Sequence, residues 1–136
     1  MKKILFICTG NSCRSQMAEG FARTLKWDSY SAGVNPSPQI NPNSIKVMQE
    51  IGINISHQTP EHIDKFLNMD FDLVVTVCDH AHETCPVFTG NNKQIIHQGF
   101  EDPDNAIGND TEILGVYRRV RDEIMNWLTI ILKKEY

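Results

Sequence analysis

The chain has 136 residues, with 13 Lys and Arg against 17 Asp and Glu, so its formal net charge is −4. This length suits one domain with its own core, and we predict a single domain over residues 1–136. The acidic balance and the lack of a basic tract argue against a nucleic-acid partner. No segment reaches the roughly 18 apolar residues of a membrane span. No feature indicates an obligate interface, so we expect a monomer.

The cysteines bear on function because of where we expect the chain to reside. Met1-Lys2-Lys3 resembles the start of a signal peptide, but the apolar run Ile4–Ile7 is too short to complete one. We therefore expect a cytosolic protein, in which thiols stay reduced and cysteines do not serve as a disulfide scaffold. Each cysteine is then either a small buried hydrophobe or a reactive thiol. The four are Cys8, Cys13, Cys78 and Cys85.

Apolar runs alternate with segments of helical periodicity along the chain, which is typical of an α/β fold. We predict one three-layer domain with a central four-stranded parallel sheet and helices on both faces. On the last helix, the predicted apolar stripe is Ile113, Tyr117, Val120, Ile124, Trp127 and Ile131. The predicted elements are strands at Lys3–Cys8, Ser29–Val34, Phe71–Cys78 and Gln94–Gln98, and helices at Ser15–Trp27, Asn43–Ile51, from Thr59-Pro60 onward, and at Thr111–Lys133.

Three reactive side chains fall at the carboxyl ends of predicted strands. Cys8 ends the first strand, Cys78 ends the third, and Asp102 follows the fourth. In open parallel sheets the functional site lies outside these ends. We therefore expect the three residues to meet at one edge of the sheet.

The loop between the first strand and the first helix has the pattern C-x5-R. Successive backbone N–H groups in such a loop can form a nest for a tetrahedral oxyanion, and the helix adds the positive end of its dipole. Gly10 permits backbone conformations that other residues avoid. Arg14 can bind two oxyanion oxygens, and the same field favours a nucleophilic thiolate at Cys8, with Ser15 donating a hydrogen bond to its sulfur. The predicted oxyanion-binding residues are Thr9, Gly10, Asn11, Ser12, Cys13, Arg14 and Ser15.

These residues resemble a known family over nearly the whole chain. The stretch Cys8–Gly20, C-T-G-N-S-C-R-S-Q-M-A-E-G, is similar to the signature of the low-molecular-weight tyrosine phosphatase fold. Within that superfamily the chain resembles the thioredoxin-coupled arsenate reductases. Further similar segments occur in the family's order: Tyr30–Gly33, Asp72–Cys78, Cys85-Pro86, Gly99–Pro103 and Arg119–Ile124.

The resemblance implies a substrate, a set of roles and an electron donor. The substrate is arsenate, Cys8 is the nucleophile, and Asp102 is the general acid; from the sequence alone, Glu101 and Asp104 are rivals for that role. In the family's relay, Cys78 then forms a disulfide with Cys8, and Cys85 finally forms a disulfide with Cys78. Thioredoxin is the implied donor, and no tightly bound cofactor is implied.

The relay places a constraint on the segment between its last two cysteines. If Asp79–Cys85 is helical, Cys78 and Cys85 lie roughly 10 Å apart along the helix axis. A disulfide needs Cα atoms within roughly 7 Å of each other. We therefore predict that this polar segment rearranges when it is oxidised. For Cys13 the resemblance implies no part in the relay, and we favour packing over an off-pathway disulfide with Cys8.

A tyrosine phosphatase is the nearest rival function. It would use the same Cys8, Arg14 and Asp102 without a thiol relay. The aromatic residues that usually follow Asp-Pro in those phosphatases are replaced here by Asp104-Asn105-Ala106. Weak phosphatase activity is still expected, because phosphate and arsenate share shape and charge.

Two metal hypotheses remain from the sequence. Zinc could take four ligands from one short segment, although the spacing is not that of a standard zinc knuckle. By resemblance, a monovalent cation such as potassium could bind oxygen donors near the first helix; the alternative is that these residues only hydrogen-bond the loop and helix. The zinc set is Cys78, His80, His82 and Cys85, and the cation set is Asn11, Glu19, Ser31 and Asp64.

Overall fold

A computed structural model describes residues 1–79, 83 and 87–134 of the chain. Three α-helices, two short 3-10 helices and four strands occur in these residues, and no helix in them is long and apolar enough to cross a membrane. The elements in chain order are β1 (Lys3–Cys8), α1 (Arg14–Thr24), β2 (Asp28–Gly33), α2 (Pro42–Gln49), a 3-10 helix (Ile63–Phe66), β3 (Leu73–Thr76), β4 (Ile95–His97), a 3-10 helix (Pro103–Asn105) and α3 (Asp110–Lys134).

The four strands form one sheet in the order β2-β1-β3-β4, and every neighbouring pair is parallel. Cys8 at the end of β1 pairs with Gly33 at the end of β2, and Ile7 pairs with Thr76 at the end of β3. All carboxyl ends therefore lie along one edge. The predicted α/β class with a four-stranded parallel sheet is confirmed.

The central strand β1 is buried on both faces, as its continuous apolar run predicts. Ile4 and Phe6 belong to a core shared with residues of all three α-helices. Leu5 and Ile7 belong to a second core, which the 3-10 helix Ile63–Phe66 covers. Burying each such side chain contributes about 1.5–3 kcal/mol, so β1 is firmly held beneath the loop that follows it.

The helix predicted from Thr59-Pro60 is wrong in type and extent. The structure has a single 3-10 turn at Ile63–Phe66, capped by the His62 ring, which accepts a hydrogen bond from the Asp64 amide. One turn is enough to place Ile63 and Phe66 on the sheet, and the apolar spacing alone does not distinguish it from a longer helix.

Two other helices differ from prediction in detail. α1 ends at Thr24 because Lys26 adopts a left-handed conformation (φ 71°) and the Trp27 amide donates back to the carbonyl of Ala22. On α3 the buried stripe drifts along the helix, so that Trp127 and Ile131 lie only at its edge. The fully buried apolar residues of α3 are Tyr117, Val120, Ile124, Leu128 and Leu132.

Gly33 marks a close approach between β2 and the loop after β1. A Cβ atom there would lie 2.4 Å from the Thr9 carbonyl oxygen and 3.1 Å from the Asn11 amide nitrogen.

We expect Gly33→Ala to lower the free energy of unfolding by about 1–3 kcal/mol, because backbone atoms have to move. The matched control is Gly115→Ala, exposed on α3 with nothing within 4 Å, which should raise stability by about 1 kcal/mol. Urea denaturation measures both, and an unchanged Gly33→Ala variant would contradict the close approach.

Candidate active site

The predicted oxyanion loop lies between β1 and α1 and borders a cavity of about 210 Å³ at the carboxyl edge of the sheet. The side chain of Cys13, the residue at the start of α1, makes no capping hydrogen bond. The helix therefore presents its positive end to the cavity without a side-chain cap. The lining residues are Cys8, Thr9, Gly10, Asn11, Ser12, Cys13, Arg14, Asn35, Ser37, Glu83, Asp102 and Asp104.

Cys8 is only 2% exposed. Its sulfur is surrounded by hydrogen-bonding groups. The Asn11 amide donates to it at 3.2 Å, and the Ser15 hydroxyl lies 2.8 Å away. The Asn11 side-chain amide in turn donates to the Ser15 oxygen at 2.7 Å. A thiolate at Cys8 would therefore receive the hydroxyl hydrogen of Ser15, as the sequence predicts.

Asn11 has the unusual backbone conformation that the sequence predicts at Gly10, and its side chain holds the loop in shape. Its backbone is left-handed (φ 51°), a conformation that Asn tolerates better than most residues. Its fully buried side chain donates to Ser31 and accepts from the Glu61 amide, both at 2.9 Å. The special backbone conformation of the loop thus lies one residue later than predicted.

Arg14 brings a buried positive charge to the cavity, with its side chain only 3% exposed. Nη1 donates to the Phe100 carbonyl at 3.2 Å, and Nη2 lies 3.5 Å from a carboxylate oxygen of Asp102. Nη1 and Nη2 both bond Glu83, whereas Nε is buried and has no partner in the described residues. Burial opposes the charge, but hydrogen bonding to Glu83 and the negative charges around it raise the pKa of Arg14.

Glu83 is a site residue that the sequence analysis missed. Besides Arg14, its carboxylate accepts from the Thr9 hydroxyl at 2.8 Å and from the Asp79 amide at 2.6 Å. Burial disfavours its charge, but these hydrogen bonds outweigh burial and lower the pKa of Glu83 to about 2. The carboxylate is therefore ionised at neutral pH.

Among the acidic residues of its segment, Asp102 is the one whose carboxyl group faces Arg14. It precedes the 3-10 helix Pro103–Asn105 and accepts from the Asp104 amide at 3.0 Å. Burial raises the pKa of Asp102, and Arg14 opposes that rise only in part. Of its two sequence rivals, Glu101 is half-exposed and pairs with Arg119, while Asp104 accepts from Asn41 at 3.0 Å.

The structure describes three of the four cysteines, and all three are buried. Cys78 is fully buried just after β3, and its sulfur lies 3.9 Å from the carbonyl oxygen of Ile7, the neighbour of Cys8. Cys13 lies in the core with its sulfur 3.8 Å from the Tyr117 hydroxyl, and burial raises the pKa of Cys13 to about 11. This agrees with the packing interpretation of Cys13. Cys85, the predicted last member of the relay, lies outside the described residues.

Three of the four proposed cation ligands are joined by hydrogen bonds, since Ser31 accepts from Asn11 and donates to Glu19. The Glu19 carboxylate accepts from Ser31 at 2.6 Å and from Arg23 at 2.7 Å. Asp64 has a side chain that is 73% exposed and faces His62. Hydrogen bonds within the protein therefore account for Asn11, Glu19 and Ser31, and nothing in this geometry supports potassium.

The zinc hypothesis depends on a segment that is only partly described. His80, His82 and Cys85 lie outside the described residues. Within residues 1–79, 83 and 87–134, no group of three His, Cys, Asp or Glu side chains could hold a metal ion. Of the other histidines, His62 accepts from the Asp64 amide at 3.0 Å, and His97 bonds Thr76 at 2.7 Å.

The fold and the site match one family of known proteins. The family model described as low molecular weight phosphotyrosine protein phosphatase matches residues 3–134. A protein named arsenate reductase from Halalkalibacterium halodurans is 54% identical over 126 residues, which cover 90% of this chain and 89% of that protein.

Solved structures agree with the sequence relatives. An arsenate reductase in the phosphate binding state superposes with a TM-score of 0.81 at 36% identity, over 100% of both chains. A thioredoxin-dependent arsenate reductase from Corynebacterium glutamicum superposes with a TM-score of 0.63 at 25% identity, over 98% of this chain and 64% of the other. The chain is therefore an enzyme of the low molecular weight phosphotyrosine protein phosphatase family and belongs to its arsenate reductases.

Proposed function

We propose that this enzyme reduces arsenate to arsenite through a relay of Cys8, Cys78 and Cys85, with a thioredoxin as the external reductant. One observation carries the proposal. Cys8 ends β1 where the loop that can hold an oxyanion begins, and Cys78, a second buried thiol, follows β3. Because β1 and β3 are adjacent parallel strands, both cysteines lie at the same edge of the sheet.

The first step forms a bond between sulfur and arsenic. The loop amides, the start of α1 and Arg14 bind the arsenate oxygens, which disperses their negative charge. The Cys8 thiolate attacks arsenic, and Asp102 gives its proton to the departing oxygen, which leaves as water. Since burial raises the pKa of Asp102, this carboxyl group holds a proton more readily than an ordinary aspartate.

The second step transfers two electrons to arsenic. The Cys78 thiolate attacks the Cys8 sulfur, and the electron pair of the sulfur–arsenic bond passes to arsenic, so that arsenite leaves. Cys85 then attacks Cys78, which regenerates the Cys8 thiolate and leaves a Cys78–Cys85 disulfide. Thioredoxin reduces that disulfide by thiol–disulfide exchange, so no bound cofactor is needed.

A reductase explains this site better than a phosphatase does. Hydrolysis of a phosphate ester would use Cys8, Arg14 and Asp102 but would leave Cys78 without a chemical role. The segment after Asp102 also carries no aromatic side chain; it is the 3-10 helix Pro103–Asn105. The relatives of this chain that are named arsenate reductase, and a structural neighbour described as thioredoxin-dependent, also support a reductase. The expected location is the cytosol.

The relay can be dissected by serine substitution. We expect wild type to turn over many times with arsenate, thioredoxin, thioredoxin reductase and NADPH. Cys85→Ser should release a single equivalent of arsenite per enzyme and stop as a Cys8–Cys78 disulfide. Cys78→Ser should release none, because it lacks the thiol that attacks the Cys8 sulfur of the adduct. Arsenite release and mass spectrometry of the trapped disulfide measure these outcomes.

Sustained NADPH oxidation by either serine variant would contradict the relay. A different result would support the phosphatase alternative: no arsenate-dependent NADPH oxidation by wild type, together with brisk hydrolysis of an aryl phosphate by both variants.

The role of Asp102 predicts a pH dependence. Its raised pKa means that the proton needed for catalysis is lost only as pH rises above the range of an ordinary aspartate. The single-turnover rate of arsenite release should therefore fall as pH rises through that pKa. Asp102→Asn should lower the rate by about 10²- to 10⁴-fold and lose this part of the pH profile.

Glu101→Gln is the matched control, since Glu101 adjoins Asp102 but pairs with Arg119 at the surface. Its rate and pH profile should stay at the wild-type values. If Asp102→Asn kept the wild-type profile, another group would have to supply the proton.

A further inference from the structure

We propose that Glu83 is a built-in competitor of the substrate: in the free enzyme its carboxylate occupies the Arg14 guanidinium, and an incoming oxyanion has to displace it. The inference rests on the proposed function only in placing the oxyanion in the Cys8–Arg14 loop. It assigns Glu83 a role in oxyanion affinity that is separate from the relay.

The contact between the two side chains has the form of an oxyanion complex. Glu83 presents one oxygen to Nη1 and the other to Nη2 of Arg14. Paired N–H groups facing paired oxygens are the arrangement by which arginine binds carboxylates and phosphates. The side chains are 3% and 16% exposed, so water screens their attraction only weakly.

Glu83 takes one N–H donor from each terminal nitrogen of Arg14. Nη1 bonds Glu83 and the Phe100 carbonyl, and Nη2 bonds Glu83 and lies 3.5 Å from Asp102. Within the described residues Nε alone has no partner. An oxyanion that binds Nε–H and the second N–H of Nη2 shares Nη2 with Glu83, so two negative groups then lie on one guanidinium.

Glu83 also contacts the loop itself, because it accepts from the Thr9 hydroxyl at 2.8 Å. Thr9, Arg14 and Glu83 line the same cavity as Cys8. The carboxylate therefore adds a negative charge at the place where a negative substrate is expected to bind. Two anions on one guanidinium repel each other, so binding of one favours release of the other.

Displacing Glu83 also affects the backbone next to Cys78. The Asp79 amide donates to the Glu83 carboxylate at 2.6 Å, and the Glu83 amide donates to the Asp79 carbonyl at 2.9 Å. Asp79 directly follows Cys78, the thiol that attacks in the second step. Oxyanion binding thus removes a hydrogen bond of Asp79, the residue next to Cys78. Binding in the Cys8–Arg14 loop is in this way linked to the backbone beside the second thiol of the relay.

The opposite role for Glu83 makes the opposite prediction. If the carboxylate only oriented Arg14 for the substrate, its removal would weaken oxyanion binding. If it competes, its removal should strengthen binding. The sign of the change in affinity therefore separates the two roles.

Titration calorimetry with inorganic phosphate, which has the charge and shape of arsenate but cannot be reduced, measures this sign. We expect Glu83→Gln to bind phosphate about 10-fold more tightly than wild type, because a neutral amide is the weaker partner for Arg14. Glu101→Gln is the matched control, since it removes a nearby carboxylate that pairs with Arg119, and its Kd should equal that of wild type.

A second measurement on the wild-type protein does not depend on a variant folding. Phosphate titration followed by NMR should move the Asp79 amide proton upfield as its bond to Glu83 is lost. Equal or weaker phosphate binding by Glu83→Gln, or an Asp79 signal that does not move while phosphate binds, would overturn the inference alone. If neither wild type nor Glu83→Gln binds phosphate, the inference and the proposed oxyanion loop are both wrong.

Discussion

The carboxyl edge of this sheet is organised around the buried positive charge of Arg14. A charge withdrawn from water is tolerated only when other groups compensate it, and removing one partner of a buried pair typically costs about 3–5 kcal/mol. Here the compensation comes from Glu83, from Asp102 and from the Phe100 carbonyl. These residues follow β3 and β4, so a single cation ties together the loops at three strand ends.

The two carboxyl groups beside Arg14 have pKa values shifted in opposite directions. Glu83 takes both terminal nitrogens, and its pKa falls to about 2. Asp102 lies at 3.5 Å from one of them, and burial raises its pKa. Opposite pKa shifts at neighbouring acids are typical of sites that need one permanent charge and one proton donor. The proposed proton donor, Asp102, is the one of the two whose pKa burial raises.

The features that local pattern specifies were predictable from the sequence. The apolar run of β1, the C-x5-R loop and the start of α1 are contiguous in the chain, so each local signal supports the next. The convergence of Cys8, Cys78 and Asp102 also followed, because parallel strands bring their carboxyl ends to one edge whatever their exact lengths. The relay's last thiol, Cys85, stays a prediction.

The features that escaped prediction depend on tertiary context. Arg14 and Glu83 are 69 residues apart, and no local pattern pairs a glutamate in a polar stretch with a particular arginine. The left-handed backbone at Asn11 and Lys26 is uncommon for residues other than glycine, so the sequence pointed to Gly10 instead. The 3-10 turn at Ile63–Phe66 is short because one turn already covers its face of the sheet.

Competition at Arg14 and proton donation by Asp102 fit together in one exchange. The negative charge of Glu83 is among the influences that raise the pKa of Asp102. When an oxyanion displaces Glu83, one negative charge leaves the neighbourhood of Asp102 and another arrives. A negative charge therefore stays beside Asp102 while the substrate binds, and it continues to favour the protonated form of this carboxyl group. Thus a carboxylate that opposes oxyanion binding in the free enzyme also favours the protonated form of the proposed acid.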